Sequence, residues 1–113
     1  MRRGEVWEVN LDPTIGAEIK KVRPCVIVNR DALARLPLKI IVPITEWKEG
    51  LARAPWHVFI EANAQNGLSK DSSADTYQVR SVSEARLVTR LGEISDQVME
   101  EINKGLIISL ALD

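Results

Sequence analysis

Glu18-Ile19-Lys20-Lys21-Val22-Arg23-Pro24-Cys25-Val26-Ile27-Val28 begins as a charged loop and ends as a buried strand. The four residues after Pro24 are apolar and mostly β-branched, and such side chains suit a pleated, covered surface. Arg23 therefore stands where a strand enters a core. An arginine there either lies at the sheet's rim with its guanidinium in a pocket or pairs with a carboxylate, because an unpaired buried charge costs several kcal/mol. Pro24 restricts Arg23 to extended geometry and stiffens the backbone behind it, which makes a fixed perch for a cation.

On the N-terminal side, residues 5–11 read as a first strand, ended by the turn chemistry of Asp12-Pro13-Thr14-Ile15-Gly16, and a loop runs on to Lys21. Residues 22–29 form the second strand and 38–44 the third, where Pro43 marks an edge, a bulge or the strand's end and Thr45 follows at once. Residues 56–61 alternate as a fourth strand, 62–71 with Asn66-Gly67 form a loop, 76–81 a fifth strand and 85–93 a sixth. Only the end is helical: Ser95 is a good N-cap, and Val98, Met99, Ile102, Leu106 and Leu110 recur on one helix face. The tail from Leu106 to Leu112 is apolar almost all round and needs cover on more than one side, which a partner subunit could supply. Several short strands and one late helix predict a mainly β fold, a small β-barrel with a C-terminal helix.

A chain of 113 residues is read as one domain spanning residues 1–113, long enough for a core without staples. The single Cys25 excludes an internal disulfide, and there is no HExxH, CxxC or histidine cluster, so a cytoplasmic protein without metal or cofactor is expected. The N-terminus lacks the apolar stretch of a signal peptide, and no apolar run approaches the ~18 residues of a membrane span. Net charge is −1, but residues 1–40 hold eight Lys/Arg against five Asp/Glu while residues 71–113 hold four against eight. A basic N-terminal part can gather phosphates locally; an ordinary mixed-charge surface would show the same asymmetry.

Taken in order, Gly4-Glu5-Val6-Trp7, Gly16-x-Glu18, Arg23-Pro24-x-Val26-Ile27-Val28, Val42-Pro43-Ile44-Thr45, Gly67-Leu68, Asp71-Ser72, Gln78-Val79-Arg80 and Arg86-Leu87 resemble the MazF/PemK (Kid) family of toxin endoribonucleases. The resemblance covers nearly the whole chain. It implies an SH3-like barrel of the MazF/PemK/CcdB type ending in a helix, and a homodimer. The implied activity is that of an mRNA interferase, sequence-selective cleavage of single-stranded RNA without metal, inhibited by a cognate MazE-like antitoxin with an acidic C-terminal segment.

Metal-free RNA cleavage uses the 2′-hydroxyl as nucleophile, so the protein must supply a proton acceptor, a cation for the phosphorane charge, and donors that hold the phosphate in line. Arg23 suits the second role: its fork can hold two phosphate oxygens, and its permanent charge makes it a poor base. The family's Arg-Pro supports that role; an arginine merely capping a barrel rim is the alternative. By resemblance Thr45 offers a hydroxyl to the scissile phosphate, against a β-branched residue that only ends a strand. Glu18 matches the family's Gly-x-Glu and is the candidate proton acceptor or positioner of Arg23, against a solvated loop carboxylate. By the same resemblance Ser72, Gln78 and Arg80 line the RNA groove. Trp47 could stack on an unpaired base, and Lys20 and Lys21 could meet the backbone.

Trp7 and Trp56 fall in strand patterns and are expected in the core or an interface, and Cys25 is expected to pack as a small hydrophobe. Kid-like members carry an Arg-x-Asp before the Gln-x-Arg and a catalytic histidine in an upstream loop. Here the matching positions are Asp75 and Tyr77, and the only histidine, His57, sits on the fourth strand, where a structural role is expected. Tyr77 could donate a hydrogen bond or stack. Two rival functions fit a chain of this kind: a CcdB-like gyrase poison without enzymatic activity, which would not need the Arg-Pro and Pro-Ile-Thr pair, and an SH3-like protein-binding module, which should show more aromatics than 4%.

Overall fold

The unbroken apolar run at residues 25–28 belongs to a strand buried on both faces. In the computed structural model, which describes residues 1–113, β2 (Val22–Ile27) lies between β1 (Glu5–Asn10) and β3 (Leu38–Glu46), antiparallel to both. Val26 and Val28 enter one core with Val6, Val42 and Ile44, while Cys25 and Ile27 enter another with Val9, Leu11 and Ile41. Successive side chains of a strand point to opposite faces, so covering both replaces alternation with a continuous run.

The remaining strands are β4 (His57–Ile60), β5 (Ser72–Asp75), β6 (Arg80–Ser83) and β7 (Leu87–Glu93). They build a sheet of order β4-β5-β3-β2-β1-β7, with β6 also paired to β3. The third strand does not stop at Pro43. Leu38 to Ile41 pair with β6 and Ile44 to Glu46 with β5, so Pro43 falls where β3 changes partner along one edge, and its missing N–H is tolerated there. Thr45 is therefore inside the ladder, opposite Ser73, rather than past the strand's end.

The SH3-like barrel expected from the sequence is not formed. The terminal strands β4 and β7 do not pair, and the sheet stays open, giving a mixed α/β fold of antiparallel sheet and one helix. Closure would need an extended segment where the chain makes a turn after β4, and Asn66 builds that turn. Its Oδ1 accepts from the N–H groups of Asn63 and Leu68 while its amide donates to the Glu61 carbonyl. Such local bonding competes with a ladder. The turn meets β7 through a backbone bond of 3.0 Å from Glu93 N–H to Gln65 O.

Residues 76–81 are not one strand either. Asp75 accepts the Tyr77 N–H at 3.1 Å and starts a 3-10 turn at Thr76–Gln78. The strand is instead the preceding Ser72–Asp75, whose composition hides it; partners on both sides impose its extension.

Ser95 caps the helix α1 (Asp96–Leu110), its hydroxyl accepting the Val98 N–H at 3.2 Å. Ile102 is fully buried in the first core, and Val98, Met99 and Leu106 pack beside it. Leu110, expected on the packed face, is exposed. The helix meets the 3-10 turn through Gly105, where a Cβ would stand 2.8 Å from Thr76, and through Ser109, whose Oγ lies 3.0 Å from Thr76 Oγ1. Of the two placements expected for Trp56, core or interface, the core is not the one found: it is 37% exposed. Trp7 packs against the second core and donates its indole N–H to Glu5 at 2.8 Å. No helix is long and apolar enough to cross a membrane.

Candidate functional site

Strand register gathers the polar chemistry on one end of the sheet. Thr45, Ser73 and Phe59 are direct partners across β3, β5 and β4. Cys25 lies opposite Pro43 where the β2–β3 pairing ends, and Arg23 and Thr45 each lie two residues beyond that pair. Arg23, Thr45 and Ser72 line a cleft of about 170 Å³ together with Glu46 and Lys70.

Of the two placements open to Arg23, the rim is the one found. It is exposed, and its Nε donates to the Lys20 carbonyl at 3.2 Å, which steadies the stem and leaves the terminal amino groups of the fork without a protein partner. Ser72 is 5% exposed and donates its hydroxyl to the Lys70 carbonyl at 2.7 Å. Lys70 pairs with Glu46 at 3.4 Å, both well exposed, and such a pair is readily given up to a stronger anion.

Glu18, Gln78 and Arg80 line a neighbouring cleft of about 510 Å³, with Tyr77 and Pro43. Here the side chains hold the β1–β2 loop. Gln78 accepts the Ile19 N–H at 2.7 Å and donates to the Ala17 carbonyl at 3.2 Å. Arg80 donates to the Leu11 carbonyl at 3.3 Å, and Arg86 to the carbonyls of Asn10 and Asp12. Glu18 accepts the Ile15 N–H at 2.6 Å and has no link to Arg23.

The structure thus brings Arg23, Thr45 and Ser72 together, and sets Glu18, Gln78 and Arg80 one cleft away. It leaves Lys20 and Lys21 exposed on the loop. Trp47 lies outside both clefts, half-buried with its ring edge-on to Phe59 at 5.0 Å between centroids and 76° between planes. Cys25 is a packing residue: burial pushes its thiol up to about 12 against the pull of the Arg80 guanidinium, so it stays protonated at neutral pH.

Sequence reasoning missed Lys70, Phe59 and the cluster in which His57 Nδ1 lies 2.7 Å from Ser73 Oγ and Nε2 3.8 Å from Asp75. The alternation of β4, with Val58 and Ile60 buried, does send His57 and Phe59 to the opposite face. Nothing in one sequence says which strands will flank them, and Lys70 carries no signal at all.

A family model described as the PemK-like, MazF-like toxin of type II toxin-antitoxin systems matches residues 2–110. The chain is 32% identical over 119 residues to endoribonuclease MazF9 of Mycobacterium tuberculosis, covering 99% of this chain and 98% of that protein. It is 36% identical over 112 residues to endoribonuclease MazF of Staphylococcus saprophyticus, covering 99% and 92%. Among solved structures, MazF from Deinococcus radiodurans superposes with a TM-score of 0.82 at 23% identity over 98% of this chain and 96% of that one. An endoribonuclease in complex with its cognate antitoxin from a mycobacterial species gives 0.78 at 20% identity over 100% and 97%. At such identities these two likenesses speak for the fold.

Proposed function

The chain belongs to the family of PemK-like, MazF-like toxins of type II toxin-antitoxin systems, and from that premise we propose that it is an endoribonuclease cutting single-stranded RNA at the Arg23–Thr45 cleft. One observation carries the assignment of the site: an arginine fork with unpartnered amino groups and a threonine hydroxyl line the same cleft. In the proposed reaction the 2′-hydroxyl gives up its proton to an acceptor, the 2′-oxygen bonds to the adjacent phosphorus and the bond to the 5′-oxygen breaks; the leaving oxygen takes a proton from water, giving a 2′,3′-cyclic phosphate and a 5′-hydroxyl. Arg23 meets the charge that grows on the non-bridging oxygens, and Thr45 holds the phosphate in line. Glu18 serves as proton acceptor, or as anchor for Arg23, only with the β1–β2 loop rearranged, because its carboxylate now holds the Ile15 amide. Gln78 and Arg80 likewise reach RNA bases by exchanging loop backbone for base edges, with Ser72 and Trp47 beside the cleft and Lys20 and Lys21 on the phosphates.

Incubation with a mixed single-stranded RNA pool in excess EDTA should give cuts at a short preferred sequence, with cyclic-phosphate and 5′-hydroxyl ends. DNA should survive. A substrate with 2′-deoxyribose at the preferred site lacks the nucleophile, and its continued cleavage would sink the mechanism.

The exposed tail residues Ile107, Ile108, Leu110 and Leu112, with Trp56 and Tyr77, form the seat of a twofold homodimer in this reading. An antitoxin with an acidic, disordered segment would fold onto the clefts and displace the loop that Gln78 holds. RNA and such a segment should therefore weaken each other's apparent affinity, and added salt should weaken both. Sedimentation as a monomer at micromolar protein would count against the dimer, and independent simultaneous binding against the shared seat.

A further inference from the structure

Beside the row of Thr45, Ser73 and Phe59, the same face of the sheet carries a polar group that the proposed reaction leaves unused. Asp75 and His57 are direct partners across β5 and β4, two residues along from Ser73 and Phe59. Ser73 is fully buried, and the side chains of Asp75 and His57 are each 11% exposed. The imidazole Nδ1 is 2.7 Å from Ser73 Oγ and Nε2 is 3.8 Å from Asp75 Oδ2, while Asp75 Oδ1 accepts the Tyr77 N–H. Glu49 and Arg53 before β4, Tyr77 after β5, and Asp96, Glu100, Glu101 and Lys104 of α1 form no hydrogen bond or ion pair with the ring. Asp75 is the one charge within ion-pair distance.

A neutral imidazole carries one N–H. With a carboxylate beside Nε2 the proton belongs there, Nδ1 accepts, and the Ser73 hydroxyl aims its hydrogen at the ring. An imidazolium carries two, so Nδ1 then donates to Ser73 Oγ and the Ser73 hydrogen turns outward, toward its cross-strand neighbour Thr45. We propose that His57 is a positioning residue of the RNA-cleaving face: through Ser73 it sets the direction in which hydrogen bonds run beside Thr45. The inference rests on the role given to Thr45 above.

The test follows the Thr45 methyl and the His57 ring by NMR in the intact protein without RNA, across about pH 5 to 8, and then cleavage over the same range. In the natural sequence the Thr45 methyl should move wherever the His57 ring signals move; in Ser73→Ala the methyl should stay still while the ring signals still move. Cleavage should show a step of about 3- to 10-fold in kcat where the His57 ring signals change, with KM unmoved, the size of one hydrogen bond. The step should be absent in Ser73→Ala and in His57→Gln, which keeps polar reach but does not titrate. A Thr45 methyl blind to His57 in the natural sequence overturns the proposal, as does a methyl shift or a kcat step that survives in Ser73→Ala. Were the protein to cut no RNA, the methyl measurement would still decide the coupling, so failure of the cleavage reading and failure of this inference are distinguishable.

Discussion

Replacing Arg23 with alanine should lower kcat for RNA cleavage by about 10²-fold or more, the usual effect of deleting one preorganised donor aimed at developing charge, with little change in KM. The split between the two constants follows from where the side chain sits. Its stem is steadied through Nε on the Lys20 carbonyl, and the amino groups of the fork have no protein partner. They add most when the phosphorane carries its extra charge and little to a ground-state phosphate in high-dielectric surroundings. RNA affinity draws on several phosphates, of which one exposed contact is a small part. Arg23→Lys should recover only part of the loss, since an ammonium keeps the charge without the planar fork. Stability should stay within about 0.5 kcal/mol, as for other surface substitutions, so a fall in kcat cannot be blamed on unfolding. A variant that raises KM and leaves kcat intact would make Arg23 a binding residue and move the transition-state cation elsewhere, with Lys70 the next candidate in the same cleft.

The place of Arg23 was legible because two local rules act on adjacent residues: Pro24 fixes extended geometry, and the apolar run behind it demands burial. Thr45 does line one cleft with Arg23, but not as a residue at the strand's end. Pro43 reads as an edge, a bulge or the strand's end until β6 and β5 are seen to share one edge of β3, and which strands share an edge depends on long-range pairing that periodicity does not encode. By the family resemblance Gln78 and Arg80 line the RNA groove. That they also hold loop backbone depends on the path of residues 12–21, which no side-chain pattern predicts. Lys39 shows the same limit in reverse. It lies in the third strand, yet it is 1% exposed, its ammonium satisfied by the carbonyls of Ala34, Leu36 and Leu38 and by Glu84. A buried lysine becomes tolerable only through those partners, and they come from a turn and a distant 3-10 segment.

The seam that takes the place of barrel closure makes the second large prediction, that Gly67→Ala destabilises the protein by more than about 3 kcal/mol. Gly67 has φ of +70°, where a Cβ costs about 1–2 kcal/mol by itself. That Cβ would also lie 2.1 Å from the Leu91 carbonyl oxygen and 2.8 Å from its carbon. A backbone carbonyl has no rotamer to retreat into, so relief means moving the turn off β7 and losing the bond from Glu93 N–H to Gln65 O, worth about 1 kcal/mol. The approach is mutual: a Cβ at Gly92 would meet the Gln65 oxygen at 2.2 Å. Gly16→Ala is the control, because φ there is +60° yet nothing lies within 4 Å of its Cβ. It should show the backbone cost alone, so the difference between the two denaturant midpoints, at unchanged slope, isolates the packing of the seam. Equal losses would mean that the turn does not press on β7, and the explanation of the open sheet would fall with it. The effect should also reach function. Leu68, Ser69 and Lys70 follow Gly67 directly and line the Arg23 cleft, so a displaced turn widens the site it flanks, and kcat/KM should fall at temperatures where the variant is still folded.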